Sequence, residues 1–231
     1  VNEGSSIGVR ICKNIPDLKK ALKYLFKRTG LFTSTIAEAG AFIKTHEDLE
    51  APNIQYHYAP AMIVDHGRTA VWGTGMSCHS CLLRPKSRGE VTLESADPFA
   101  DPLIDPNFLS HPDDVKDMVD GYKIMMQVLN QKPFSKYIKE HTHRPVDINN
   151  DSDIELAIRE EADTVYHPVG TCKMGSDEMS VVNDRLKVHN MNNLRIVDAS
   201  IMPTLVGGNT NAPTIMIGEK ASDMIKEDWR I

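Results

Sequence analysis

The sequence predicts a mixed α/β chain of α+β character, in which an antiparallel sheet with helices is followed by a terminal strand, loop and helix. Three observations lead there. Apolar residues recur at helical spacing over residues 16–28, 115–129 and 154–162. Between Ile54 and about Glu94 the pattern shortens to β-rich stretches broken by Gly and Pro. Near the end, a short apolar run closes on an acid, crosses a Gly/Asn-rich loop and enters another helical pattern.

Each element has its own local cause. Residues 16–28 place Leu18, Ala21, Leu22, Leu25 and Phe26 on one face, with Lys27 and Arg28 in the last turn and Gly30 as a stop. The alternations Ile54/Tyr56/Tyr58, Thr69-Ala70-Val71-Trp72 and Val91-Thr92-Leu93 predict strands. Asp97-Pro98, Asp101-Pro102 and Asp105-Pro106 follow, and prolines that remove backbone donors predict an extended or turning connection. Ser110 as cap, Pro112 and the acids Asp113 and Asp114 open a helix whose apolar face is Val115, Met118, Val119, Tyr122, Met125, Met126 and Leu129. A further helix covers 154–162. Leu194-Arg195-Ile196-Val197-Asp198 reads as a strand, Gly207-Gly208-Asn209-Thr210-Asn211 as a loop, and Ala212-Pro213-Thr214 as the start of a helix carrying Ile217, Ala221, Met224 and Ile225. Such a helix start presents unpaired N–H groups and a positive dipole end.

Composition narrows the class. With 231 residues, 41% of them hydrophobic, the chain can bury a sizeable core as one large domain or two smaller ones. A net charge of -6 and scattered Lys and Arg give no basic field for nucleic acid. No apolar run approaches the ~20 residues that cross a bilayer. The start, Val1-Asn2-Glu3-Gly4, has neither an initiator Met nor a signal-like core, so the chain is expected to begin inside a longer sequence. Cys12, Cys78, Cys81 and Cys172 do not fix a redox compartment. Cys78-His79-Ser80-Cys81 is half of a zinc or redox pattern, but no second half completes a ligand set, and thiols lying unpaired in a strand are the expectation.

Three motifs carry a resemblance. Tyr166-His167-Pro168-Val169-Gly170-Thr171-Cys172, the run from Leu194 through Asp198-Ala199-Ser200-Ile201-Met202-Pro203, and Gly208-Asn209-Thr210-Asn211-Ala212-Pro213-Thr214 occur in the order and spacing of the C-terminal region of the glucose–methanol–choline (GMC) oxidoreductases. Leu82-Leu83-Arg84-Pro85-Lys86-Ser87-Arg88-Gly89 through Asp105-Pro106-Asn107 resembles the start of that region, and Thr35-Ile36-Ala37-Glu38-Ala39-Gly40 resembles insect glucose-dehydrogenase-type members. The resemblance covers most of the chain from about residue 82.

What it implies is flavin-dependent oxidation of an alcohol or sugar CH–OH group, with FAD as cofactor. By motif, His167 becomes the base that takes the hydroxyl proton, and Asn211 the partner that hydrogen-bonds the substrate oxygen, with Asn209 its rival. Histidine suits the first role because its unperturbed pKa lies near ~6.5. Asparagine suits the second because it donates or accepts without titrating. The resemblance makes Asp198 and Ala199 contacts of the ribityl–pyrophosphate portion, and brings Asn211, Ala212, Pro213 and Thr214 to the flavin edge. Beside these stand plainer roles: Asp198 as a cap, Asn209 and Asn211 as turn formers.

The resemblance divides the chain into a partial substrate-binding domain, 1–160, and a catalytic and return segment toward an FAD-binding domain, 161–231. The G-x-G-x-x-G turn that cradles a dinucleotide pyrophosphate does not occur, and Gly73-Thr74-Gly75 lacks the third glycine. The expectation is a fragment, on which the apolar faces of Ile196, Ile217 and Ile225 lack a packing partner. Its alternatives are a non-catalytic remnant or binding module and, since fold does not fix reaction, a lyase on the same scaffold.

Overall fold

The computed structural model describes residues 15–63, 75–139 and 146–230 of the chain. Helix α1 (Ile15–Lys27) stops where Arg28 and then Gly30 turn to positive φ, 51° and 103°, and the Arg28 N–H closes onto Tyr24 C=O at 2.9 Å. Beyond it, β1 (Ala39–Ile43) pairs antiparallel with β2 (Ile54–Ala59), Gly40 opposite His57, and β3 (Ser77–Leu82) completes a sheet of order β1-β2-β3. Strand β1 was not foreseen. Its Ala-Gly-Ala-Phe-Ile sequence is nearly all exposed and lacks the inside–outside alternation that marks a half-buried strand.

By contacts the chain falls into two compact units. The first lies within Val1–Cys81 and Asp117–Ala157, the second within Leu82–Lys116 and Ile158–Ile231. In the first, the central strand faces helix α2 (Pro112–Leu129): Ile54 and Tyr56 are buried, and the Tyr56 hydroxyl donates to Gly121 C=O at 2.6 Å. The Tyr58 ring meets Phe134 of α3 (Lys132–Ser135) edge-on, centroids 5.6 Å apart. Cys78 and Cys81 are half-buried free thiols on β3, as expected, with Cys81 Sγ 3.8 Å from His57 Nε2. Burial pushes the Cys78 thiol up to about 11 and also raises Cys81.

In the second unit, β4 (Glu90–Thr92) pairs with β5 (Leu103–Asp105), so the Val91 strand forms a separate two-stranded ladder with part of the proline-rich connection. Helix α2 starts one residue later than a Ser110 cap requires. His111 holds the capping position, and its Nδ1 accepts from the Asp113 N–H at 3.2 Å. Helix α4 (Asp151–Glu161) follows the sequence expectation closely. The expected strand at 194–198 is not one. The chain turns at Asn190 and Asn193, both at φ 60°, Arg195 makes a single bridge to Lys187, and Asp198 then opens a 3-10 turn at Ala199–Ile201. With no long neighbour to pair with, an apolar run cannot build a ladder. The Thr69–Trp72 stretch lies outside the described residues.

The last helix, α5 (Asn211–Trp229), buries Ile217 and Ala221 among Val182, Leu186, Ile201 and Met202, with Val169, Met174 and Ile196 packed around them. Ile196 and Ile217 therefore have partners, against the expectation of an unpaired face; of the three, only Ile225 is exposed. The far end of α5 is tied down by charge. Asp228 receives Arg185 at 3.0 Å and Lys187 at 2.5 Å together with Arg195, while Glu227 also receives Arg185.

Candidate active site

The three motifs, at residues 166–172, 194–203 and 208–214, meet in the second unit. Backbone bonds join the first to the second: Cys172 N–H to Ser200 C=O at 3.1 Å and Met174 N–H to Ile201 C=O at 2.8 Å. The α5 core contacts with Ile201 and Met202 bring the third alongside.

His167 stands at their meeting point, half-buried. Its Nδ1 lies 2.9 Å from Thr210 Oγ1 and its Nε2 2.8 Å from Asn209 Nδ2. An amide nitrogen only donates, so in this arrangement Nε2 is the acceptor, and the imidazole proton sits on Nδ1 and is donated to the threonine oxygen. The backbone that delivers the ring is unusual. Tyr166, a bulky residue, holds φ 63°, and Gly170 holds φ 92°, in the region that favours glycine. A non-glycine residue held there stores strain, and such strain gathers at functional sites.

Asn211 occupies the first position of α5, exposed, and its side chain makes no hydrogen bond among the described residues. It lies on the same loop–helix junction as Asn209 and Thr210, but the amide that touches His167 is that of Asn209. Helix α5 opens with no side-chain cap. Its first turn closes when the Thr214 N–H and hydroxyl both donate to Thr210 C=O, at 3.0 and 2.7 Å. The N–H groups of Asn211 and Ala212 therefore lie at the positive end of a 19-residue helix, and Pro213 adds none. Asp198 is exposed. Its Oδ1 caps the 3-10 turn, accepting from Ser200 N at 2.8 Å and Ser200 Oγ at 2.5 Å, and this leaves Oδ2 uncommitted among the described residues. Ala199, next to it, packs against the α5 core.

Two further residues were missed in the sequence. Asp114, buried in the first turn of α2, accepts from Lys86 N at 2.8 Å, Ser87 N at 2.7 Å and Ser87 Oγ at 2.5 Å, pinning the loop that begins with Arg84-Pro85. The Arg84 guanidinium lies so close to Gly207 that any Cβ there would overlap it. Gly207 thus lets an arginine press on the loop that carries Asn209 and Thr210. Sequence spacing marks Asp114 only as an early-helix acid, and nothing local distinguishes it from Asp113, which makes an exposed ion pair with Lys86.

The arrangement offers a ring nitrogen whose lone pair is met by an exposed amide, and an uncapped helix end with an open carboxylate oxygen in the same unit. These suit proton removal next to a bound group that gains negative charge. No cluster of metal-ligating side chains occurs among the described residues.

A family model described as GMC oxidoreductase matches residues 85–218. The chain is 46% identical over 224 residues to an alcohol dehydrogenase [acceptor] of Pseudomonas putida, covering 97% of this chain and 41% of that protein. To an oxygen-dependent choline dehydrogenase of Cronobacter sakazakii it is 42% identical, covering 93% of this chain and 40% of the other. The structure superposes on a formate oxidase of Aspergillus oryzae, studied for its FAD modification, with TM-score 0.83 and 25% identity over 91% of this chain and 41% of that one. The chain spans about two fifths of the length of the curated relatives it matches.

Proposed function

The chain belongs to the GMC oxidoreductase family, and from that premise we propose that it supplies the proton-handling part of a flavin-dependent alcohol oxidation, with His167 as the base. The observation that carries the proposal is the His167 imidazole, held at Nδ1 by Thr210 with Nε2 turned toward an exposed amide. Nε2 removes the hydroxyl proton of the alcohol as its carbinol carbon loses hydride and becomes a carbonyl. FAD, when bound, supplies the hydride acceptor.

The remaining roles follow from position. Asn211, exposed at the start of α5, hydrogen-bonds the alcohol oxygen, and Asn209 steadies the imidazole lone pair until substrate displaces it. The Asn211 and Ala212 N–H groups, with Pro213 and Thr214 shaping the turn, would stabilise negative charge on a bound flavin. When FAD is bound, Asp198 Oδ2 and the neighbouring Ala199 would hold its ribityl–pyrophosphate portion. These residues fit FAD because the helix end is uncapped and the carboxylate keeps one oxygen open. In this division of labour residues 1–160 contribute the substrate-binding side and 161–231 the catalytic side. The substrate class is an alcohol CH–OH donor; the names of the relatives point to simple alcohols and choline, and a sugar remains within the same chemistry.

The test is anaerobic flavin reduction in the intact protein that carries this region. His167→Ala is expected to slow reduction about 100-fold or more, the scale of losing a general base, with flavin content unchanged. A wild-type reduction rate in that variant removes His167 from the mechanism, and a colourless, flavin-free wild-type protein supports the non-catalytic reading instead.

A further inference from the structure

Thr210 is the capping residue of α5, yet its hydroxyl makes no capping bond. Threonine at such a position ordinarily turns its side-chain oxygen onto the N–H groups of the first turn. Here the backbone at Thr210 is already helical, φ -88° and ψ -3°, and the hydroxyl points the other way, to His167 Nδ1 at 2.9 Å. The residue is buried, so its hydroxyl is removed from competing water. The two bonds that Thr214 makes go to the Thr210 carbonyl and leave its hydroxyl out of the helix start.

We propose that Thr210 is a positioning residue that holds His167 in its Nδ1–H tautomer, so that Nε2 carries the lone pair facing the reacting alcohol. This rests on the reading of His167 as base. A neutral imidazole has one proton for two nitrogens, and the partner of one nitrogen decides which of them can accept. Thr210 Oγ1 accepts from Nδ1–H before proton transfer and goes on accepting from it in the imidazolium that follows, so the ring gains a proton at Nε2 without rotating. Asn209 Nδ2, which can only donate, agrees with that assignment from the opposite side of the ring. Two neighbours on one loop, Asn209 and Thr210, thus read the two edges of the same imidazole.

The experiment uses the intact protein with 15N-labelled histidine, and the resonance pair lost in His167→Gln identifies His167. At a pH where the ring is neutral, the wild type is expected to show Nδ1 protonated and Nε2 bare. Thr210→Val keeps the shape of the side chain and removes the acceptor, and should move the pair toward the Nε2–H form. Thr210→Ser should restore it. Because the hydroxyl does not cap α5, Thr210→Val should keep the wild-type helix content in far-ultraviolet circular dichroism. Flavin reduction in Thr210→Val is expected to fall about tenfold, less than the loss on deleting the base, and to recover in Thr210→Ser. A wild-type spectrum with the proton on Nε2, or a His167 pair unchanged in Thr210→Val, overturns the proposal. If the tautomer shifts as stated but His167→Ala reduces flavin at the wild-type rate, the positioning role stands and the base assignment alone falls.

Discussion

At the scale of single residues, the candidate site centres on His167, held between Thr210 and Asn209, with Asp198 turned onto Ser200 and Asn211 exposed. His167 could be picked from nine histidines only through its motif, and its geometry, between a threonine 43 residues away and an asparagine 42 residues away, is not legible in any local pattern. Asn209 and Asn211 were indistinguishable as turn formers; the structure separates them, one on the imidazole and one exposed at the helix start. Asp114 was hidden for a related reason, since a first-turn acid looks the same whether it faces solvent or a buried loop. It accepts from three donors of residues 86 and 87 and so ties that loop to the start of α2. Asp114→Ala leaves two loop N–H groups without their acceptor and should cost about 2–4 kcal/mol, read by urea denaturation; a change below about 0.5 kcal/mol, the range of ordinary surface substitutions, would show that the loop does not depend on it.

At the scale of elements, helices were more legible than strands. The apolar spacing of α1, α2, α4 and α5 is carried by each helix's own sequence, so it survives without knowledge of neighbours. Strands depend on what they pair with. β1 hid because its side chains are exposed, and the 194–198 run misled because an apolar stretch with a single bridge is not a ladder. Helix α5 joins two levels, since its start carries the candidate site and its middle anchors the core. Ile217→Ala should therefore lower stability by about 3 kcal/mol, within the usual range for emptying such a position. Thermal unfolding measures it, and the same variant should blunt flavin reduction by loosening the junction at Asn209 and Thr210. An unchanged midpoint would mean that Ile217 packs less tightly than its burial among Ile201, Met202 and Ala221 indicates.

At the scale of the molecule, the fold class, an antiparallel sheet with helices and a terminal helix, was legible because three motifs stand in fixed order along one chain. The division into units was less so: each unit is assembled from two separate stretches, which linear composition does not reveal. Charge ties the second unit together. The Lys187 and Arg195 hydrogen bonds hold the Asp228 carboxyl well below the ordinary carboxylate range, and Lys173 and Ser180 lower Asp177 to about 2. A carboxylate depressed in the folded state contributes stability that is fully present above its unfolded pKa, near ~4, and is lost as pH falls toward the folded value. Stability should thus decline between about pH 4 and pH 2, followed by circular dichroism. Asp228→Asn should flatten that decline, and an equally steep one would assign it to other groups.

The central claim, that the three motifs form one alcohol-oxidising site around His167, is tested most directly by a structure of the intact protein with FAD and a non-reacting alcohol analogue bound. The prediction is His167 Nε2 within hydrogen-bond reach of the analogue oxygen, about 2.6–3.2 Å, with the Asn211 amide on that same oxygen and the α5 start at the flavin edge. An analogue bound on the flavin with His167 turned away, its Nε2 still on Asn209, would contradict it.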